Sequence, residues 1–169
     1  STKVKQTTLT TSSTPIVSVT SSDVIIESFS AEGHIEEING EWNHGLQIIS
    51  NTATGNISNV VVGSIKGSNI RGDVLYMTHK NSTTLSGVKT GNVTGANILR
   101  NVVSITGGRN IEIGNVTGTQ VGMLILDIEA EPSYGPVDNV AVQSVIGQGM
   151  NIANASATVP AENIRIKYA

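Results

Sequence analysis

Two acids, a histidine, an arginine and the single tryptophan fall at related positions of a repeated sequence. His44 in E-W-N-H-G-L-Q-I and Asp73 in G-D-V-L-Y-M each precede a short apolar strand pattern, so a stacked fold would bring them together. Glu41 and Trp42 lie just before His44, and Arg100 opens the next such pattern, R-N-V-V-S. An indole ring can stack on a sugar face, while carboxylate, imidazole and guanidinium groups bond hydroxyls. This group therefore predicts a carbohydrate site.

Asp73 and Glu41 are the candidate catalytic residues of that site. Glycoside hydrolysis generally needs a pair of carboxyl groups, one acting as acid and the other as base or nucleophile. Asp73 is the best single candidate, and Glu41 is its nearest partner in the sequence argument. The structural alternative is that Asp73 only caps a turn after Gly72.

The candidate substrate-binding residues are Trp42, His44, Arg100 and Tyr76, which share these strand patterns. Residues 36–42 form an insertion that lengthens their repeat to 36 residues. Insertions in solenoids project from one face, which is often the binding face. An exposed tryptophan there would contact a ligand or another subunit, or it would only cover the side of its repeat.

A second acidic group lies at Asp127, Glu129 and Glu131, followed by a loop that carries Tyr134. Spacing by two places all three acids on one face of a strand. They could hold Ca²⁺ or act as paired acids, or they could simply form a solvated face.

A recurring pattern supplies the elements that position these residues: Asn or Asp, alternating Val or Ile, then Gly and a branched apolar residue. Its copies begin 36, 28, 23, 29 and 24 residues apart. They begin at Asp23, Asn59, Gly87, Asn110, Asn139 and Asn163. A period in this range, built of strand formers, is typical of solenoids. We therefore predict a single all-β domain over residues 1–169 with about six coils.

Composition supports this fold and excludes several functions. β-Branched residues, Gly and Asn suit strands and tight turns, and no long window has a helical apolar period. The net charge of −3 argues against a nucleic-acid surface. No apolar run approaches the roughly 18 residues of a membrane span, so no membrane insertion is expected. The sequence has no cysteine and no zinc or nucleotide motif, so we expect no metal and no cofactor.

A second strand pattern, such as G-L-Q-I-I or D-V-L-Y-M, accompanies each repeat. Alternate side chains of a strand face inward, which predicts a stacked apolar column. The predicted column contains Leu46, Ile48, Leu75, Met77, Leu124 and Leu126.

The residue that opens each repeat predicts an asparagine ladder. Asn tolerates left-handed backbone, and its amide can bond a neighbour when repeats stack about 4.8 Å apart. We expect Asn110 and Asn139 to be buried and bonded to backbone or to neighbouring ladder positions.

The irregular repeat length, the Asn before the strand and the G-D-V-L-Y-M segment resemble the pectin-lyase-like superfamily. The Ser/Thr/Asn/Gly-rich turns and low aromatic content are most similar to phage tailspike proteins. The resemblance implies a right-handed parallel β-helix. It also puts Asp73 where hydrolases of the superfamily carry acids.

The resemblance further implies a homotrimer that binds bacterial surface polysaccharide. It implies that the whole protein can depolymerise this polysaccharide, and that it is located on a virion tail or outside the cell. A pectin-lyase-like lyase or glycoside hydrolase is the first alternative. A non-catalytic adhesin or structural module is the second. The sequence shows no capping helix, which predicts a fragment of a longer protein.

Overall fold

The computed structural model describes residues 2–5, 14–35, 41–80, 82–154 and 159–168 as all-β structure. Within these ranges there is no helix, and hence none that is long and apolar enough to cross a membrane. The strands form two sheets, and every pairing between named strands is parallel. The all-β prediction is confirmed, and the arrangement is compatible with a β-helix.

The first sheet has six strands, each followed in space by its equivalent from the next repeat. These are β2 (Val17–Val19), β5 (Leu46–Ser50), β8 (Leu75–His79), β11 (Val103–Ile105), β13 (Leu126–Ala130) and β15 (Met150–Asn154).

The second sheet has ten strands and contains a bend, so that it presents two stretches. The strands of the stretch that comes first in each repeat are β3 (Val24–Ile26), β6 (Ile57–Val62), β9 (Leu85–Thr90), β12 (Gly108–Val121), β14 (Val137–Ile146) and β16 (Ala161–Tyr168). The stretch beyond the bend contains β1 (Thr2–Lys5), β4 (Phe29–Glu32), β7 (Ile65–Ile70) and β10 (Val93–Ile98).

Long strands join the two stretches. The first half of β12 pairs with β9, for example Ile111 with Val88, and its second half pairs with β10, as Val116 with Val93. Each repeat therefore passes once through the six-stranded sheet and twice through the ten-stranded sheet. The apolar core lies between these three stretches.

The inward column of the six-stranded sheet is shifted by two residues from the prediction in β13. Leu126 pairs with Val103, which pairs with Leu75, so Leu126 and Ile128 are the inward pair and both are fully buried. Leu124 is only partly buried, and the prediction that it joins the column is wrong. The other predicted members, Leu46, Ile48, Leu75, Met77 and Leu126, are fully buried.

The asparagine ladder is confirmed in its bonding but not in its burial. Asn110 and Asn139 have left-handed φ angles of 54° and 53°, and the Asn139 Nδ2 donates to Asn110 Oδ1 at 2.7 Å. Both side chains are exposed, so the prediction of burial is wrong. The left-handed residue interrupts the strand alternation and turns its side chain outward, where the amides bond along the stack.

The ladder also has a break and a parallel counterpart. Asn163 donates to Asp138 instead of Asn139, at 2.7 Å. A second outer row, which the sequence analysis missed, has left-handed φ at Asn69 and Asn97, and Asn97 donates to Asn69 at 2.8 Å. Two repeats thus turn both corners with left-handed polar residues, Asn59 with Asn69 and Asn110 with Gln120.

Candidate functional site

Axial backbone bonds fix the alignment of the predicted site residues. The Gly45 N–H donates to the Asp73 carbonyl at 2.8 Å, and the Val74 N–H donates to the Asn101 carbonyl at 3.2 Å. Together with the pairing of the strands that follow, these bonds make His44, Asp73 and Asn101 equivalent residues of successive repeats. The predicted stacking of His44 with Asp73 is confirmed.

A corner explains why these side chains meet outside the core. Val74 and Leu75 are consecutive residues, and both are fully buried in the apolar cluster. With two inward residues in a row, Asp73 and Tyr76 on either side both face away from the core. Tyr76 covers the layer below, where its ring stacks on His44 with centroids 4.5 Å apart and an interplanar angle of 6°.

Trp42 completes an aromatic cluster at the surface. Its ring stands edge-on to His44 at 5.9 Å and to Tyr76 at 6.0 Å between centroids. Trp42 remains 45% exposed, whereas Tyr76 is 3% and His44 is 1% exposed. The indole is therefore the accessible member of the cluster, and the two buried rings support it.

The bond between Asp73 and His44 fixes the state of the imidazole. The Asp73 backbone N–H donates to His44 Nδ1 at 3.0 Å, so the neutral ring carries its proton on Nε2. Burial, with a smaller contribution from the Arg100 charge, lowers the pKa of His44 to about 3. His44 is thus neutral at physiological pH and acts as a hydrogen-bond acceptor toward the backbone.

The Asp73 carboxyl is fully buried. Burial raises its pKa to about 6, opposed by the Arg100 charge, the Asn101 N–H and the Ser104 hydroxyl. Oδ1 accepts the Asn101 N–H at 2.9 Å, while Oδ2 lies 3.4 Å from His44 Nδ1 and has no hydrogen-bond partner among the described residues.

Arg100 connects the two predicted catalytic acids. Its Nη1 donates to Glu41 Oε2 at 2.7 Å, and its Nε lies 3.6 Å from Asp73 Oδ1. The Glu41 side chain is 69% exposed and the Asp73 side chain 0%. The guanidinium therefore lies between an accessible carboxylate and a buried one, and the structure brings all six predicted site residues into one cluster.

Two hydrogen-bond chains beneath this cluster were missed by the sequence analysis. Asn101 Nδ2 donates to Ser104 Oγ at 3.0 Å, and Asn101 Oδ1 accepts the Leu124 N–H at 2.9 Å. The sequence position of Asn101, which is equivalent to that of Asp73 in the preceding repeat, could have indicated the first of these chains.

The second chain anchors the tyrosine. Its hydroxyl bonds the Thr106 hydroxyl at 3.0 Å, which in turn donates to Thr78 at 2.9 Å. Burial raises the pKa of Tyr76 to about 12, which keeps the phenol protonated. Thr78 lies in β8, and Thr106 directly follows β11. The strand register makes them equivalent residues of successive repeats, which the sequence alone does not show.

The second acidic group lies on the same outer face but apart from the aromatic cluster. Asp127 and Glu129 in β13, and Glu131 directly after it, alternate with buried residues, as their spacing predicts. Burial raises the pKa of Glu131, as do the charges of Glu129 and Asp127. Tyr134 lies beneath the Lys80 ammonium, 5.2 Å from its ring centroid.

The cluster lacks a set of metal-ligating side chains among the residues that the structure describes. In the part of the chain that the structure describes, no three His, Asp or Glu side chains are grouped to hold a metal ion. Residues 36–40 of the predicted insertion lie outside the described residues. The arrangement offers a half-exposed indole ring, an ion pair that is exposed on its Glu41 side, and a buried polar support.

The chain was compared with known families, curated proteins and solved structures. No family model, no curated protein and no solved structure matches it.

Proposed function

We propose that the chain is a right-handed parallel β-helix that binds bacterial surface polysaccharide, in the manner of phage tailspikes. The parallel pairing of equivalent strands and the outer rows of left-handed Asn support the fold part of this proposal. The resemblance of the sequence to the pectin-lyase-like superfamily supplies the handedness.

The half-exposed Trp42 on its support of buried rings is the observation that carries the binding proposal. A sugar ring packs on the free face of the indole, because its C–H groups meet the electron-rich ring. His44 and Tyr76 hold that indole in place, so little side-chain entropy is lost when the sugar binds.

The neighbouring polar groups then bond the hydroxyls of the sugar. Glu41, the residue before Trp42, is mostly exposed and forms an ion pair with the partly buried Arg100, and both have further donors or acceptors to offer. An outward row continues from Tyr76 through Ser104 to Asp127, one residue per repeat. Repeats about 4.8 Å apart would give a polysaccharide successive contacts along the stack.

In this proposal Asp73 is a positioning residue. A fully buried carboxyl does not touch a glycan on the surface, but its charge and its bond to the Asn101 N–H hold Arg100 in place. Its substitution should therefore weaken binding through Arg100 rather than by loss of a direct contact.

A glycoside hydrolase is the second candidate. The raised pKa of Asp73, about 6, keeps part of that carboxyl protonated near neutral pH, as a general acid requires. Glu41 would be the second carboxyl, on the other side of Arg100. This function requires movement that exposes Asp73, whereas binding alone does not.

Purified capsular and O-antigen polysaccharides test both candidates. We expect Trp42→Ala to weaken binding at least tenfold, since an aromatic anchor typically contributes more than about 1.4 kcal/mol. Ile146→Ala, which removes an exposed apolar side chain of the other sheet, is the matched control. Binding by Trp42→Ala at wild-type affinity would overturn the proposed site.

Reaction products separate the candidate classes. New reducing ends without absorbance near 235 nm indicate a hydrolase, while both signals together indicate a lyase. Loss of new reducing ends in both Asp73→Asn and Glu41→Gln would assign the acids. Binding without either signal supports a non-catalytic module.

The tailspike proposal includes a homotrimer on a virion tail or outside the cell. Exposed apolar side chains of the last repeat, Met150, Ile152 and Tyr168, support association with another chain. Sedimentation equilibrium should give three times the mass of the chain, and a stable monomer at micromolar concentration would contradict this part.

A further inference from the structure

A second candidate binding surface lies on the ten-stranded sheet, at the bend between its two stretches. Two hollows of about 460 and 290 Å³ open along this bend. They share Glu112, Ile113 and Gln143 in their walls, so they form one continuous trough. The trough is on a different sheet from Trp42 and its neighbours.

Two stacked columns build the trough. One column forms its floor and runs, by strand register, through Gly63, Gly91, Gly114, Gln143 and Lys167. The other forms its wall through Val61, Lys89, Glu112, Ala141 and Arg165. Four steps of about 4.8 Å give the trough a length of roughly 19 Å, enough for a short extended oligosaccharide.

The glycines of the floor are required by the tight bend. A Cβ on Gly114 would lie 2.8 Å from Asn92 Oδ1, and one on Gly91 would lie 3.0 Å from the Gly63 carbonyl carbon. The floor is therefore bare backbone over its three glycines, and the side chains of Gln143 and Lys167 continue it beyond them. Its N–H groups at Gly63 and Gly91 donate to carbonyls of the preceding repeat, so they are not available to a ligand.

Cations outnumber anions along this trough. Lys89, Arg165 and Lys167 line it with only one acid, Glu112. Lys89 pairs with Glu112 at 3.1 Å, but both side chains are more than 60% exposed, so the pair is weak and open to exchange. Among the described residues neither Arg165 nor Lys167 has an ion-pair partner.

We propose that this trough binds an extended acidic polysaccharide, one that carries carboxylate or sulfate groups. The cations would pair with its charged groups, and the bare floor would take the flat face of a sugar ring. A nucleic acid fits less well, because none of the residues that line the two hollows is aromatic and the neighbouring Tyr168 ring lies under the Lys167 ammonium, 5.2 Å from its centroid.

The test uses short fluorescein-labelled dextran sulfate and polygalacturonate, with unsulfated dextran as the neutral probe, in anisotropy titrations at low salt. We expect both acidic probes to bind, with affinity falling steeply as salt rises, and dextran not to bind here. The double variant Arg165→Gln/Lys167→Gln should bind on the order of tenfold more weakly.

Three further variants fix the location. Lys66→Gln removes an exposed cation on the other stretch, outside the trough, and should change affinity less than twofold. Glu112→Gln releases Lys89 and Gln143→Lys adds a cation to the floor, so both should tighten binding. A loss in Lys66→Gln equal to that of the double variant would reduce the effect to net charge and overturn the site.

The two surfaces can be distinguished in the same assay. Trp42→Ala should bind acidic probes as the wild-type chain does, and a loss in that variant would overturn the trough in favour of the aromatic surface. Binding of single-stranded DNA tighter than either acidic polysaccharide would also contradict the proposal. Failure of the polysaccharide-binding proposal for Trp42 leaves these outcomes unchanged.

Discussion

The aromatic cluster on the six-stranded sheet and the trough on the ten-stranded sheet are built in opposite ways. Around Trp42 the chain packs side chains outside the core, with His44 and Asp73 almost fully buried there. Along the trough it omits side chains at Gly91 and Gly114 and leaves its charged groups in solvent. The first surface carries an additional layer of polar and aromatic side chains outside the core, whereas the second lacks side chains at its glycines.

The difference determines which residues control stability. A buried ionisable group perturbs the folding equilibrium through desolvation, and its neighbours must compensate. An exposed charge contributes little, while the backbone that makes room for the trough cannot accept a Cβ. Stability should thus depend on side chains in the first region and on the glycines in the second.

The largest expected effect is at the bend. A Cβ on Gly63 would collide with the Glu27 carbonyl oxygen, so Gly63→Ala should cost about 3 kcal/mol or more, or prevent folding. Gly55→Ala is the matched control, because its φ is +71° but no atom lies within 4 Å of the new Cβ, and it should cost about 1 kcal/mol. Urea unfolding measures both. Gly63 has no left-handed φ, so equal costs would mean that the backbone at the bend shifts to make room for the added Cβ.

The sequence predicts neighbours better than it predicts orientation. The recurring motif aligned His44 with Asp73 across a gap of 29 residues, because equivalent residues of a stack must be adjacent. It could not predict that Val74 and Leu75 both turn inward, since strict alternation fails at a corner. The same departure from alternation explains why two predictions were wrong: Asn139 is exposed rather than buried, and Leu124 does not belong to the inward column.

The trough was not predicted, although its glycines are visible in the sequence. V-V-V-G, V-K-T-G and I-E-I-G each end on a floor position. A glycine pattern indicates that backbone is close to something, but only the structure shows on which side the space remains. Similarly, no spacing rule indicates that Arg100 lies between Glu41 and Asp73.

The next effect is a pH dependence in the aromatic region. Asp73, with its pKa raised to about 6, adds stability at low pH that is lost as pH rises through 4 to 6. His44, with its pKa lowered to about 3, adds stability above pH 6.5 that is lost as pH falls. Between pH 4 and 6 the native pair and the unfolded pair each bind one proton, so their contributions cancel.

Single substitutions should uncover each slope. In His44→Gln the free energy of unfolding, relative to wild type, should fall with rising pH by up to about 1.4 kcal/mol per unit between pH 4 and 6. In Asp73→Asn it should rise with pH by a similar amount. Urea unfolding at half-unit pH steps measures both. If the free energy of unfolding changed with pH in the same direction in both variants, the opposite pKa shifts of His44 and Asp73 would be refuted.

A smaller effect is expected in the asparagine ladder of the ten-stranded sheet. Asn139→Ala loses the bond to Asn110 and places Ala at a left-handed φ of 53°, which together should cost about 2 kcal/mol. Asn139→Gly loses only the bond and should cost less than about 1 kcal/mol. Thermal unfolding compares them. If Gly costs as much as Ala, conformation contributes nothing and the amide bond carries the ladder.

The smallest effect is expected for the exposed ion pair in the trough wall. A double-mutant cycle with Lys89→Gln and Glu112→Gln should give a coupling energy below about 0.5 kcal/mol, since solvent and salt screen a pair that is more than 60% exposed on both sides. The same cycle on Arg100→Gln and Asp73→Asn should give more than about 1 kcal/mol, because the Asp73 side chain has no exposure. Added salt should reduce the first coupling toward zero and leave most of the second. A strong, salt-resistant coupling of Lys89 with Glu112 would mean that the trough holds its charges as rigidly as the aromatic region. A polyanion would then have to break that pair before it could bind, and Glu112→Gln would become the variant with the largest gain in affinity.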